Sequence, residues 1–131
     1  GINYMNNMVD YILLGKGTFP SDKDDPYMKD KCCGIVSFVA KHGVVGAICG
    51  LEDAIAATPS VIEYESRYPV GSVTPDTNTL QQLMIRFVMI CDSREQLVKD
   101  VTYLNEHIAV FNDKDENMVI KLDPDRIIKE F

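Results

Sequence analysis

The stretch Leu83–Cys91 restricts the fold of this chain more than any other. In an extended strand, alternation sends Leu83, Ile85, Phe87, Met89 and Cys91 to one face and Met84, Arg86, Val88 and Ile90 to the other. Apart from Arg86, both sets are apolar. A strand with one wet face would show a polar residue at every second position, so this one is expected to be central and covered on both sides. The rest of the chain must then supply flanking strands and helices to cover them.

Those elements can be read in order. Ile2–Leu14 has helical periodicity, with Asn3, Asn6, Asn7 and Asp10 confined to a wedge about 100° wide. The remaining arc is apolar and wider than one small sheet needs to cover. It fits either a helix sandwiched in the core or a helix that also faces a missing lobe. Gly15 or Gly17 can end it in a left-handed cap. Lys16–Lys31 carries prolines, glycines and charges of both signs without periodicity, and reads as a loop. Cys33–Ala40 and Val44–Cys49 read as strands around a turn at Lys41-His42-Gly43, a predicted hairpin. Gly50 leads into a helix over Leu51–Ala57, with Glu52 and Asp53 at the positive end of its dipole and Pro59 beyond it.

Ser60–Ser66 is a third strand and Pro69–Thr77 a loop. After Leu83–Cys91, Ser93 and Gln96 have capping-box spacing. Leu97, Val101, Leu104 and Ile108 then form a helical stripe. Asn112–Glu116 is a polar turn and Met118–Leu122 a last strand. Asp123-Pro124 opens a terminal helix, with proline at its first position. The expected fold class is α+β, a mostly antiparallel sheet of about five strands with helices packed on it, preceded by an N-terminal helix. Residues 1–131 form a single domain, comprising a leading helix (1–17), a linker loop (18–31) and an α+β lobe (32–131).

With 131 residues, 46% hydrophobic and 25% charged, the chain has the composition of a globular domain able to bury its own core. Its net charge of −7 argues against binding nucleic acid or an anionic membrane through bulk charge. No apolar run is long enough to span a bilayer, and no signal peptide is recognisable. The four cysteines, Cys32, Cys33, Cys49 and Cys91, lack zinc spacing and read as reduced core thiols of a cytoplasmic protein. A start at Gly1 that runs straight into a helical pattern suggests a cut fragment.

No catalytic, cofactor-binding or metal motif is present. Nucleophile-elbow, phosphate-loop, zincin and dinucleotide patterns are all missing, and Gly46-Ala47-Ile48-Cys49-Gly50 has the wrong glycine spacing for a phosphate loop. Asp22, Asp24 and Asp25 suggest calcium, but Tyr27 stands where such a loop needs glycine and Cys33 where it needs glutamate. His42 reads as a surface-turn residue. His107 suits the negative end of a helix dipole. Arg86 is the residue that needs an explanation. A buried guanidinium requires an anion, and Glu63 or Glu65, a ligand or another lobe would each supply one. Arg67 reads as exposed.

Gly43, Val45, Ile48, Gly50, Leu51 and Glu52 carry a resemblance to the C-terminal lobe of ATP-grasp enzymes of the carboxylate–amine (amino-acid) ligase type, related to biotin carboxylase. The similarity continues through Pro59-Ser60-Val61, Gly71, Arg86 and Asp92-Ser93-Arg94-Glu95. Gly1-Ile2-Asn3 through Leu14-Gly15 resembles the helix that follows the ATP-grasp active site, with Asn3 where aspartate is common. It covers most of residues 1–112 and does not extend to the tail from Asp113 to Phe131.

The resemblance implies an intact enzyme that activates a carboxylate with ATP and Mg²⁺ and passes it to an amine. The residues that hold the metal in that family lie upstream of the first helix and are absent here. This chain would be the non-catalytic lobe that completes the acceptor side, partnered by upstream ATP-grasp lobes of the same polypeptide. Arg86 would be its substrate-facing residue. Two alternatives remain, a biotin-carboxylase-type C-terminal domain and a free-standing ferredoxin-like module that binds a regulatory small molecule. A homodimer stays open. The ligase reading expects the apolar arc of Ile2–Leu14 to be exposed, and the regulatory reading expects it to be buried.

Overall fold

The computed structural model describes residues 4–15 and 31–124. The fold is α+β. Helix α1 spans Tyr4–Leu14, followed by strand β1 (Cys32–Ala40), β2 (Gly43–Cys49), helix α2 (Leu51–Ala56), β3 (Val61–Ser66) and β4 (Val73–Thr74). A 3-10 turn at Leu80–Gln82 leads into β5 (Leu83–Cys91), then helix α3 (Arg94–His107), β6 (Ala109–Asn112) and β7 (Val119–Ile120). The suggested calcium loop lies outside the described residues, as does the terminal helix beyond Pro124.

The strands form two antiparallel sheets rather than one of about five strands. One has the order β3-β5-β1-β7 and the other β4-β2-β6. β5 is central, as its sequence requires, with β1 on one side and β3 on the other. The expected hairpin between the first two strands does not form. Both edges of β1 are taken by β5 and β7, and both edges of β2 by β4 and β6. Lys41-His42 is therefore a corner where the chain changes sheets. It is fixed by the Lys41 N–H donating to Met118 O at 2.7 Å and by the Thr74 hydroxyl donating to Lys41 O at 2.7 Å.

A single core lies between the sheets and α3. Val36, Phe38 and Ala40 from β1 meet Ile85, Phe87, Met89 and Cys91 from β5. Val45 and Val110 join from the second sheet, and Leu97, Val101, Leu104 and Ile108 from the predicted stripe. Phe38 and Phe87 are both fully buried and meet edge to face at 5.3 Å, an arrangement that adds about 0.5–1.5 kcal/mol to area burial. α3 starts as its sequence indicates, with the Gln96 N–H donating to the Ser93 hydroxyl at 3.1 Å. The reciprocal half of the capping box is absent, because the Gln96 side chain donates to Asp100 at 2.6 Å instead.

Two expectations need correction. β5 is not covered on both sides, since Arg86, Val88 and Ile90 on its second face are only partly buried among the described residues. The cysteines are free, but only Cys91 is a core thiol, with Cys33 and Cys49 exposed and Cys32 in between. Of the two placements left open for α1, the structure shows the one with its apolar arc exposed among the described residues. Its Met5, Met8, Val9, Tyr11, Ile12, Leu13 and Leu14 are exposed, while Asn7 from the polar wedge is buried. Gly15 ends this helix with φ +64°, as expected of a left-handed cap. Among the described residues, no helix is long and apolar enough to cross a membrane.

Candidate functional site

The outer face of the four-stranded sheet, turned away from α3, carries the residues of interest. Directly opposed residues of an antiparallel pair share a face. Ser37 lies opposite Arg86, Ile35 opposite Val88, and Glu65 on β3 opposite Arg86 from the other side. Ile35 is 68% exposed, and Ile120 on β7, opposite Val39, is also exposed. The result is an apolar sheet face open to solvent with an ion pair toward its β3 edge.

Arg86 Nη2 lies 3.0 Å from Glu65 Oε2, with the two side chains 40% and 43% exposed. The internal partner is thus Glu65 and not Glu63, and the guanidinium is half exposed rather than buried. Glu65 is shared, because Arg67 Nε donates to its other oxygen at 3.3 Å. Arg67 is exposed, as read from the sequence, and is also paired. Glu63, two residues before Glu65 and opposite Val88, adds a second carboxylate to the same face. The two guanidinium groups are thus balanced in charge, while that of Arg86 stays partly open to solvent. A carboxylate ligand or another lobe could engage it without stranding a buried charge. Exposed pairs contribute at most about 1 kcal/mol, so Arg86→Ala should change the stability of this chain by no more than that. Urea unfolding of the variant checks this, and a loss of several kcal/mol would make Arg86 a structural residue.

One same-face step along β1 from Ser37, Val39 opens onto a cleft of about 660 Å³. Its wall combines Lys41 and His42 at the corner with Asp76, Thr79 and Gln82 from the segment leading into β5, and with Ile120. Backbone bonds hold the two segments together. The Gln82 side-chain amide, itself buried, donates to Ala40 O at 3.1 Å, and the Thr74 hydroxyl is within 3.1 Å of both Lys41 O and Gly43 O. His42 Nδ1 donates to Thr74 O at 2.7 Å. Reading His42 as a bare surface turn missed this. The cleft's polar groups converge although Lys41 and Asp76 are far apart in sequence, and no motif marks them. Among the described residues, no cluster of three or more histidine, cysteine, aspartate or glutamate side chains is arranged to hold a metal ion.

This fold is known from a ligase. An L-amino acid ligase from Bacillus licheniformis, a crystal structure, superposes with a TM-score of 0.62 at 17% sequence identity. The match covers 86% of this chain but only 27% of that one. At that identity the likeness shows a shared fold and carries no residue roles. No family model and no curated protein matches the chain.

Proposed function

We propose that this chain is the non-catalytic C-terminal lobe of an ATP-dependent carboxylate–amine ligase of the ATP-grasp type, and that it completes the acceptor side of the active site. The observation that carries the reading is the exposed apolar surface. α1 turns Asn7 inward and its apolar arc outward, and the central sheet leaves Ile35 exposed and Val88 and Ile90 only partly buried. A lobe that packs against the rest of a larger enzyme would cover such surfaces. A free-standing regulatory module would have buried α1 within itself. Likeness to about a quarter of an L-amino acid ligase supports the same reading.

In this role the residues named above bind and orient; they perform no chemistry. Arg86 would exchange its contact with Glu65 for a carboxylate of the acceptor, and the Lys41–His42 corner would border the same side. ATP and Mg²⁺ would be held by upstream lobes. In the intact enzyme they would supply activation of the donor carboxylate as an acyl phosphate. The partners are then those lobes and the small carboxylate and amine substrates.

The test begins with the coding region upstream of Gly1, which should encode ATP-grasp lobes. Calorimetry should detect Mg-ATP binding to the longer polypeptide and none to this chain alone. In the longer polypeptide, Arg86→Ala should raise KM for the acceptor about tenfold or more, the cost of losing one charge-assisted contact, while leaving KM for ATP alone. Absence of an upstream ATP-binding lobe would end the ligase reading. Unchanged acceptor kinetics in a folded variant would remove Arg86 from the site.

A further inference from the structure

The cysteines were expected to be reduced core thiols, and the strand register places two of them together. Cys32 at the start of β1 is the direct cross-strand partner of Cys91 at the end of β5. Both belong to the face that α3 covers. On β1 the buried positions Val36, Phe38 and Ala40 share the parity of Cys32, and on β5 the buried Ile85, Phe87 and Met89 share that of Cys91. Opposed residues of an antiparallel pair have Cα atoms about 4.5–5.5 Å apart, inside the roughly 4.4–6.8 Å range that a disulfide bridges. One step beyond, Lys31 and Asp92 form a charge contact that pins the two strand ends in this register.

We propose that Cys32 and Cys91 form a dithiol site for reversible oxidation by a low-molecular-weight disulfide. The two thiols differ in a way that assigns their roles. Cys32 is partly exposed and can be reached by a reagent. Cys91 is buried, and burial pushes its thiol up from the ordinary range. Cys32 thiolate attacks the reagent RSSR, forming a mixed disulfide and releasing RS⁻. Cys91 then gives its proton to solvent and attacks the Cys32 sulfur, releasing the second RS⁻. The sum is two protein thiols plus RSSR giving one protein disulfide and two RSH.

The other cysteines are poorly placed to compete. Cys33 follows Cys32 on the strand and so points to the opposite face, where its partner in register is Ile90. Cys49 lies in the other sheet opposite Ala109. The acidic side chain nearest the buried end, Asp100, is already engaged by Ser60 and Gln96 at 2.6 Å each, so it is not free to draw the Cys91 proton.

The probe is oxidised glutathione, applied to the folded chain and followed by alkylation and peptide mapping by mass spectrometry. The expected product is a peptide pair linked through Cys32 and Cys91, lighter than the reduced pair by two hydrogens and restored by dithiothreitol. Cys91→Ala should abolish the link and leave glutathione trapped on Cys32. Cys32→Ser, at the more exposed position, should abolish it without disturbing the core and leave Cys91 unreactive until the chain is unfolded. Linkage through Cys33 or Cys49, or glutathione on those residues with Cys32 and Cys91 still alkylated as free thiols, would overturn the proposal.

Discussion

Replacing Gly50 by alanine should unfold this chain at temperatures the parent tolerates. Gly50 precedes α2 with φ +75° and ψ 1°, the left-handed region, and its carbonyl accepts the Ala54 N–H at 2.9 Å. An L-residue in that conformation costs about 1–2 kcal/mol. The added methyl group would also collide with the carbonyl oxygen of His107, at the end of α3. That atom is backbone, so no rotamer change relieves the clash. Either α2 moves away from α3 or β6, which begins two residues after His107, loses its register with β2. The combined penalty should be roughly 3 kcal/mol or more, a large part of the 5–15 kcal/mol that holds a domain together. The fall in Tm should be on the order of 10 °C. Thermal and urea unfolding followed by circular dichroism measure both. Gly46→Ala separates the causes, because its methyl group would meet Asn112 O at 2.5 Å without a left-handed backbone. Parent-like stability of Gly50→Ala would mean that the α2–α3 junction is looser than its geometry.

The part of this fold that sequence made legible is the part governed by periodicity. Leu83–Cys91 announced a central strand because its residues at both parities are apolar. Ser93 and the Leu97–Ile108 stripe located α3 because a cap and a helical repeat each leave a signal within a few residues. The β1–β2 relationship left none. Lys41-His42-Gly43 carries turn chemistry whether the chain folds back into the same sheet or crosses to another, and only the competition for strand edges decides. β4 lies in a stretch read as loop, and β6 was missed altogether. Strands of two and four residues are too short for alternation to register, and they exist because β2 offers them its edges.

The candidate site divides in the same way. Arg86 was conspicuous as one charge in an apolar strand, and its cross-strand carboxylate was narrowed to Glu63 or Glu65. The cleft was invisible because its two segments are joined by side chains bonding backbone carbonyls, Thr74 to Lys41, His42 to Thr74 and Gln82 to Ala40, and every residue has such a carbonyl. Helix α1 shows a third case. Its wide apolar arc was plain, but periodicity says only that one arc differs from the other. It does not say which is covered within this chain, and here the buried side chain is Asn7.

Phe87→Ala should be the most costly side-chain truncation in the core, and paired with a change on the opposite face it also tests what covers the sheet. Phe87 is fully buried at the centre of β5, packed edge to face on Phe38 across the β1–β5 pair. Its neighbours belong to a close-packed cluster that strands on both sides hold in place, so the cavity can collapse only partly. Loss of the ring should cost about 3–5 kcal/mol, from lost transfer energy together with the void. The midpoint of urea unfolding should fall with the slope unchanged. Val88, the next residue, points to the outer face and is only partly buried. Val88→Ala should therefore cost less than about 1 kcal/mol in this chain. In a longer polypeptide whose upstream lobes cover that face, the Val88 penalty should rise toward that of a core position while the Phe87 penalty stays the same. An unchanged Val88 penalty there would mean that the outer face remains open in the intact protein and that the lobes meet elsewhere.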